Sequence, residues 1–249
     1  MKRVGTAILL TIFLEFSALC VFAQEVTLQG VADKKTYLSD ISALLKTPWQ
    51  KQGASNRTVN IVCHGHSVPA GYFKTPVVDT FNAYPHLLHK KLKDRFPFAV
   101  INVIITAIGG EKSDSGASRF EKDALSLHPD IVTIDYALND RAIGLEKARL
   151  SWVSMIEKAK AKGIKVILLT PTADTSARLD DPNDTLNKHA ELIRTLAKEY
   201  HVGLVDSLTE FKRYIKGVGQ LNDLMSQGNH PNRKGHDIVV KELLEWFPK

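Results

Sequence analysis

Only two of the 249 residues are cysteine, Cys20 and Cys63, so at most one disulfide is available and a cysteine-stapled scaffold is excluded. Glycine and proline, at 15 and 10 residues, are too few for a collagen-like or low-complexity chain. There is no internal repeat and no Ser/Gly/Pro-rich linker, which leaves one domain as the economical reading. A phosphate loop is missing too. In GGEKSDSG (109–116), Glu111 stands where a Walker loop needs the glycine before Lys-Ser, and sets a carboxylate where phosphates would lie. No aromatic residues interleave with the basic runs HKKLKDRF (89–96) and EKAKAKGIK (157–165). The formal net charge of +6 therefore reads as solvated helix faces, and no nucleic-acid partner is expected.

Long apolar runs are confined to the N-terminus. MKRVGTAILLTIFLEFSALCVFA (1–23) has Lys2 and Arg3, an apolar stretch, and small residues Val21 and Ala23 before Gln24, the pattern of a secretory signal cleaved after Ala23. Glu15 within the run opposes a membrane anchor, and bulky Leu19 before Cys20 opposes lipid attachment there. The expectation is an exported chain, periplasmic or extracellular and without stable membrane insertion, whose residues 24–249 form a single domain with Cys63 as its one thiol.

Short, β-rich apolar runs fall at 58–63, 99–105, 131–137, 165–170 and 202–206. Helical spacing marks 82–96, 116–127, 145–162, 184–201, 207–216 and 233–246. Near-continuous apolar strands alternating with helices predict an α/β fold, a three-layer α/β/α sandwich on a parallel sheet. Ligands in such folds sit at the carboxyl ends of the strands, and the loops there are polar: HGHSVPAGY (64–72), AIGGEKSDSG (107–116), LNDR (138–141) and, before the last helix, GNHPNRKGH (228–236). Taken singly, Ser67 reads as a helix N-cap, Gly109-Gly110 as a tight turn, Asn139 as a cap and His230 as a loop histidine. Cys63, ending an apolar strand, reads as a core residue.

Taken together and in this order, the four blocks resemble the SGNH hydrolases, the GDSL-type esterase and lipase superfamily. Gly65-His66-Ser67-Val68-Pro69-Ala70-Gly71 is similar to its first motif, Ile108-Gly109-Gly110-Glu111 through Gly116 to its second, Ala137-Leu138-Asn139-Asp140 to its third and His230-Pro231-Asn232 to its last. The resemblance implies a five-stranded, flavodoxin-like sheet and no cofactor or metal. It also implies Ser67 as nucleophile, His230 as general base, and the Ser67 and Gly110 N–H groups with the Asn139 amide as oxyanion donors. Two positions depart from the family pattern. His66 replaces the aspartate before the serine, and Gln227 replaces the aspartate three residues before the histidine. Gln227, or a backbone carbonyl, is then the expected orienter of His230, and Gln227→Asp is expected to keep or raise activity.

The implied activity is serine ester hydrolysis. Polar residues around the blocks (Lys74, Asp79, Glu111, Lys112, Asp114, Arg141) favour a small acyl group on a hydrophilic carrier such as an acetylated carbohydrate. Other readings are a lipid esterase or thioesterase of the same family, a non-catalytic glycan-binding protein, and a metal-dependent hydrolase. The last would use the His64/His66 pair with His230 or Asp140 as further ligands.

Overall fold

The computed structural model describes residues 30–48 and 57–248, so the expected signal segment lies outside the described residues. Five strands, β1 (Val59–Gly65), β2 (Ile101–Ile105), β3 (Ile131–Asp135), β4 (Lys165–Leu169) and β5 (Gly203–Val205), pair in parallel in the order β2-β1-β3-β4-β5. This is the flavodoxin-like order expected from the sequence. The strands are apolar at nearly every position because both faces are covered: Ile61 and Cys63 pack into one core, and Val62 between them packs into the other.

The first core is closed by α1 (Ser39–Lys46), α3 (Tyr84–Arg95), α8 (Ser207–Gly217) and α9 (Arg233–Leu244). The second is closed by α4 (Ser113–Asp123) and α6 (Leu145–Ala161), while α7 (Thr185–Glu199) contributes to both. The three layers are thus as predicted. Among the described residues no helix is long and apolar enough to cross a membrane.

The differences from the sequence-based expectation gather at the carboxyl edge of the sheet. The third strand, expected through residue 137, stops at Asp135, because the Tyr136 carbonyl accepts the N–H groups of Asn139 and Asp140 and starts the single turn α5 (Ala137–Asp140). A second single turn, α2 (Ser67–Ala70), follows β1, and a small antiparallel hairpin, β6 (Met225–Gln227) and β7 (His230–Pro231), precedes α9. Helix α1 was not anticipated; its eight residues bury Ile41 and Leu45 but span too few turns for their spacing to stand out. Strand order reverses between β1 and β3, which opens the crevice where α2 and α5 meet the loop before α4.

Candidate active site

Gly65 ends β1 where the chain passes close to β3: a Cβ there would lie 2.5 Å from the Asp135 carbonyl oxygen and 2.7 Å from Pro69 Cγ. His66 follows in the N-cap position of α2, with its Nδ1 accepting the Val68 N–H at 3.2 Å. Ser67 opens α2 and is 5% exposed. Its Oγ lies 2.9 Å from His230 Nε2 and 3.5 Å from His66 Nδ1. The Ser67 N–H, at the first position of the turn, has no acceptor among the described residues.

His230 arrives on β7 from the far end of the chain. Its Nδ1 donates to the Phe73 carbonyl at 2.9 Å, which fixes the tautomer with a bare Nε2 facing the serine. Burial lowers the pKa of this imidazole, with a further push from the charge His66 can carry, while the Phe73 carbonyl acts in the opposite direction. The bond at Nδ1 and the direction of this shift both favour the neutral ring, the form able to take a proton.

The expected pairing of Gln227 with His230 is not formed. Gln227 Oε1 accepts the Thr75 N–H at 2.8 Å and its Nε2 donates to Asn229 Oδ1 at 3.1 Å. The amide thus straps the segment carrying Phe73, and the backbone carbonyl of Phe73 does the orienting. A carbonyl that any residue could supply leaves no trace in residue type, which is why the sequence does not reveal it.

The second block folds as a tight turn tied to the first by the Ile108 N–H, which donates to the Gly65 carbonyl at 3.0 Å. Gly110 has a φ of +78°, a conformation that favours glycine, and its N–H has no acceptor among the described residues. Asn139 on α5 joins the same turn, its Nδ2 donating to the Glu111 carbonyl at 2.9 Å with one hydrogen left over. Tyr72 closes the other side, with its ring 5.9 Å from that of His230 and against Gly109, where a Cβ would lie 2.8 Å from the ring. Ser67, His230, the Gly110 turn and Asn139 therefore belong to one cluster.

Behind the turn, Glu111 pairs with Arg119, whose Nε donates at 2.8 Å, and accepts the Tyr136 hydroxyl at 2.9 Å. Asp140 is fully buried; it accepts the Ser113 N–H at 2.8 Å and the Trp152 indole at 2.7 Å. Burial pushes its pKa up, and these donors act against the rise.

The zinc alternative does not assemble. His64 commits Nδ1 to Thr106 Oγ1 at 2.8 Å and Nε2 to the Gly116 carbonyl at 3.1 Å, packed between Phe120 and Tyr136. Asp140 is saturated as described, and among the described residues no three His, Cys, Asp or Glu side chains are placed to hold a metal ion. Cys63 is fully buried, and burial pushes its thiol up to about 12, so it serves as core. An open groove of about 880 Å³ between α6, α7 and α8 is lined by residues such as Leu145, Leu179, Leu192 and Lys212, with no serine, cysteine or histidine.

Residues 63–238 match the GDSL-like lipase/acylhydrolase family, an interval that holds every member of the cluster. The chain belongs to this family. Among its relatives, the esterase TesA of Pseudomonas aeruginosa is 31% identical over 121 residues, 47% of this chain and 56% of TesA, so the match spans little more than half of that protein. An acetylxylan esterase of Geobacillus stearothermophilus is 22% identical over 161 residues, 60% of this chain and 73% of that one. The crystal structure of Axe2, an acetylxylan esterase from the same organism, superposes with a TM-score of 0.68 at 20% identity, covering 77% of this chain and 94% of that one, a likeness of fold.

Two parts of the cluster are not evident from the sequence. One is the Phe73 carbonyl. The other is Asp135, 3% exposed at the end of β3, with Oδ1 3.4 Å from His66 Nε2. An aspartate inside the apolar run IVTIDYA (131–137) was the available signal.

Proposed function

We propose that this chain hydrolyses carboxylic esters through an acyl-serine intermediate, acting on small acyl groups carried by a hydrophilic compound, an acetylated carbohydrate above all. The observation that carries the reading is the 2.9 Å contact between Ser67 Oγ and a His230 Nε2 kept bare by the bond at Nδ1. In this reading Ser67 Oγ attacks the ester carbonyl carbon as His230 takes its proton, and the carbonyl oxygen becomes an oxyanion. The Ser67 and Gly110 N–H groups and the spare Asn139 hydrogen receive that charge. Collapse breaks the bond to the alcohol, which leaves with the proton from His230. Water then attacks the acyl group, gives its proton to His230, and the second collapse returns that proton to Ser67 and releases the acid. The Phe73 carbonyl holds the imidazole in place but carries no charge to offset the imidazolium.

Polar residues around the blocks (Lys74, Asp79, Lys112, Asp114, Arg141) and the acetylxylan esterase relative support the carbohydrate part of the proposal. One observation favours a second reading, a longer acyl chain or a thioester: Val77, Val78, Phe81 and Ile108 are exposed on the loops beside the cluster, Phe81 at 79%. Hydrolysis rates across aryl esters from acetyl to decanoyl, with wild type and Ser67→Ala in parallel, separate the two. Highest kcat/KM on acetate with full dependence on Ser67 is expected, whereas a maximum at long chains moves the enzyme to lipid esters or thioesters. The proposal includes export by residues 1–23 and a single domain over 24–249. N-terminal sequencing of the expressed protein tests the cleavage, with Gln24 as the expected first residue.

A further inference from the structure

Ser67 lies between two imidazoles, and the ester-hydrolase reading uses only one of them, His230. His66 is 1% exposed, its Nδ1 accepts the Val68 N–H at 3.2 Å, and the same nitrogen is 3.5 Å from Ser67 Oγ. Because Nδ1 accepts, the ring proton is on Nε2, the atom 3.4 Å from Asp135 Oδ1. That Nε2 makes no hydrogen bond of good geometry, and Asp135 has no other ion-pair partner among the described residues. The surroundings are otherwise closed: Cys63 on β1 and Tyr84 on α3 face Asp135, His230 on β7 faces His66, and His236 on α9 lies behind His230.

We propose that His66 is a positioning residue for Ser67 that works only when neutral, so that acid silences the site by two protonations, one on His230 and one on His66. This rests on the ester-hydrolase reading and deepens it. The neutral ring, whose Nδ1 caps the Val68 N–H, fixes the turn that aims the Ser67 hydroxyl and N–H. A proton on Nδ1 would set a donor against the Val68 N–H, undo the cap, and place a cation beside the base. The aspartate or asparagine that could cap the same turn would not switch in this way.

The test is the pH dependence, over about pH 4–9 where imidazoles titrate, of kcat/KM on an aryl acetate and of the rate at which a fluorophosphonate labels Ser67. Wild type, His66→Asn and His66→Ala are compared, with circular dichroism at each pH. For wild type, the acid limb of the logarithmic plot should approach a slope of two. In His66→Asn, which can still cap Val68, it should fall to one with the plateau kept within about tenfold, and His66→Ala should lose a further several-fold. A slope of one in wild type, or a slope of two that persists in His66→Asn, overturns the proposal; acid unfolding would steepen both proteins alike. Labelling with the two-proton limb but no ester turnover would sink the ester reading alone, and absence of labelling at any pH would sink both.

Discussion

The two sides of the crevice are built differently. On the nucleophile side, His66 and Ser67, adjacent on one turn, meet His230 from the far end of the chain through single contacts, and among the described residues the Ser67 N–H and His66 Nε2 have no hydrogen-bond partner. On the donor side, Glu111 is held by Arg119 and Tyr136, and Asp140 by Ser113 and Trp152. His64 has both ring nitrogens engaged there as well. Saturated groups have nothing left to give and serve as frame, whereas under-used groups are free to take a substrate or a proton. Removing a group should therefore cost activity on the first side, and on the second side stability or transition-state binding.

The largest effect is expected from the proposed nucleophile and base. Ser67→Ala, His230→Ala and the double variant should each lose on the order of 10⁴-fold or more in kcat, with unfolding midpoints close to wild type. The double variant should be no worse than either single one, because the two residues act as a unit. A double variant far slower than both would show that they act separately, and would break the comparison at its first side. Next comes the donor side, where Asn139→Ala should lower kcat by about 10²–10³-fold with KM little moved, the mark of a donor used mainly in the transition state. A loss confined to KM would instead make Asn139 a ground-state contact.

The buried histidines predict a smaller effect, on stability. Burial pushes His64 down to about 4, with the Arg119 charge adding to the shift, and pushes His236 down to about 3. A histidine whose folded pKa is depressed leaves the folded chain binding fewer protons than the unfolded one below the unfolded value near 6.5. Stability is thus full above about pH 6.5 and falls as pH drops toward the folded pKa. His64 alone should cost about 3 kcal/mol between pH 6.5 and pH 4. Urea unfolding at pH 7, 5.5 and 4.5 measures it, and midpoints that stay level across that range would contradict the burial of these rings.

The sheet was legible in the sequence because strands covered on both faces must be apolar throughout, and Ile61, Val62 and Cys63 fill two cores in succession. Ser67, Gly110, Asn139 and His230 stand out in the sequence because the proposed role of each calls for side-chain chemistry or glycine's freedom, and the fold brings them to one crevice. Three features do not stand out. Phe73 acts through a backbone carbonyl, whose donor partner is set by tertiary structure alone. Gln227 stands where an acid was expected, but its reach is decided by the Thr75 N–H that it caps. Asp135 is distant in sequence from the histidine it faces.

Gln227 gives the smallest and most discriminating test. Its side chain spans from the Thr75 N–H to Asn229 and so holds the loop whose Phe73 carbonyl orients His230. Aspartate is one methylene shorter and cannot donate to Asn229, so Gln227→Asp should slacken the strap. The sequence alone suggested that this substitution would keep or raise activity; the hydrogen bonds reverse the sign, and a drop of about twofold to fivefold in kcat is expected, the effect of losing one or two surface-side hydrogen bonds. The acid limb distinguishes the alternatives. If the new carboxylate displaces the Phe73 carbonyl from His230 Nδ1, it will stabilise the imidazolium, raise the imidazole pKa and move the limb to higher pH. A limb that moves up together with a higher kcat would show that the carbonyl is a replaceable anchor. A limb that stays in place with a reduced kcat would show that the strap, and not the charge, is what Gln227 supplies.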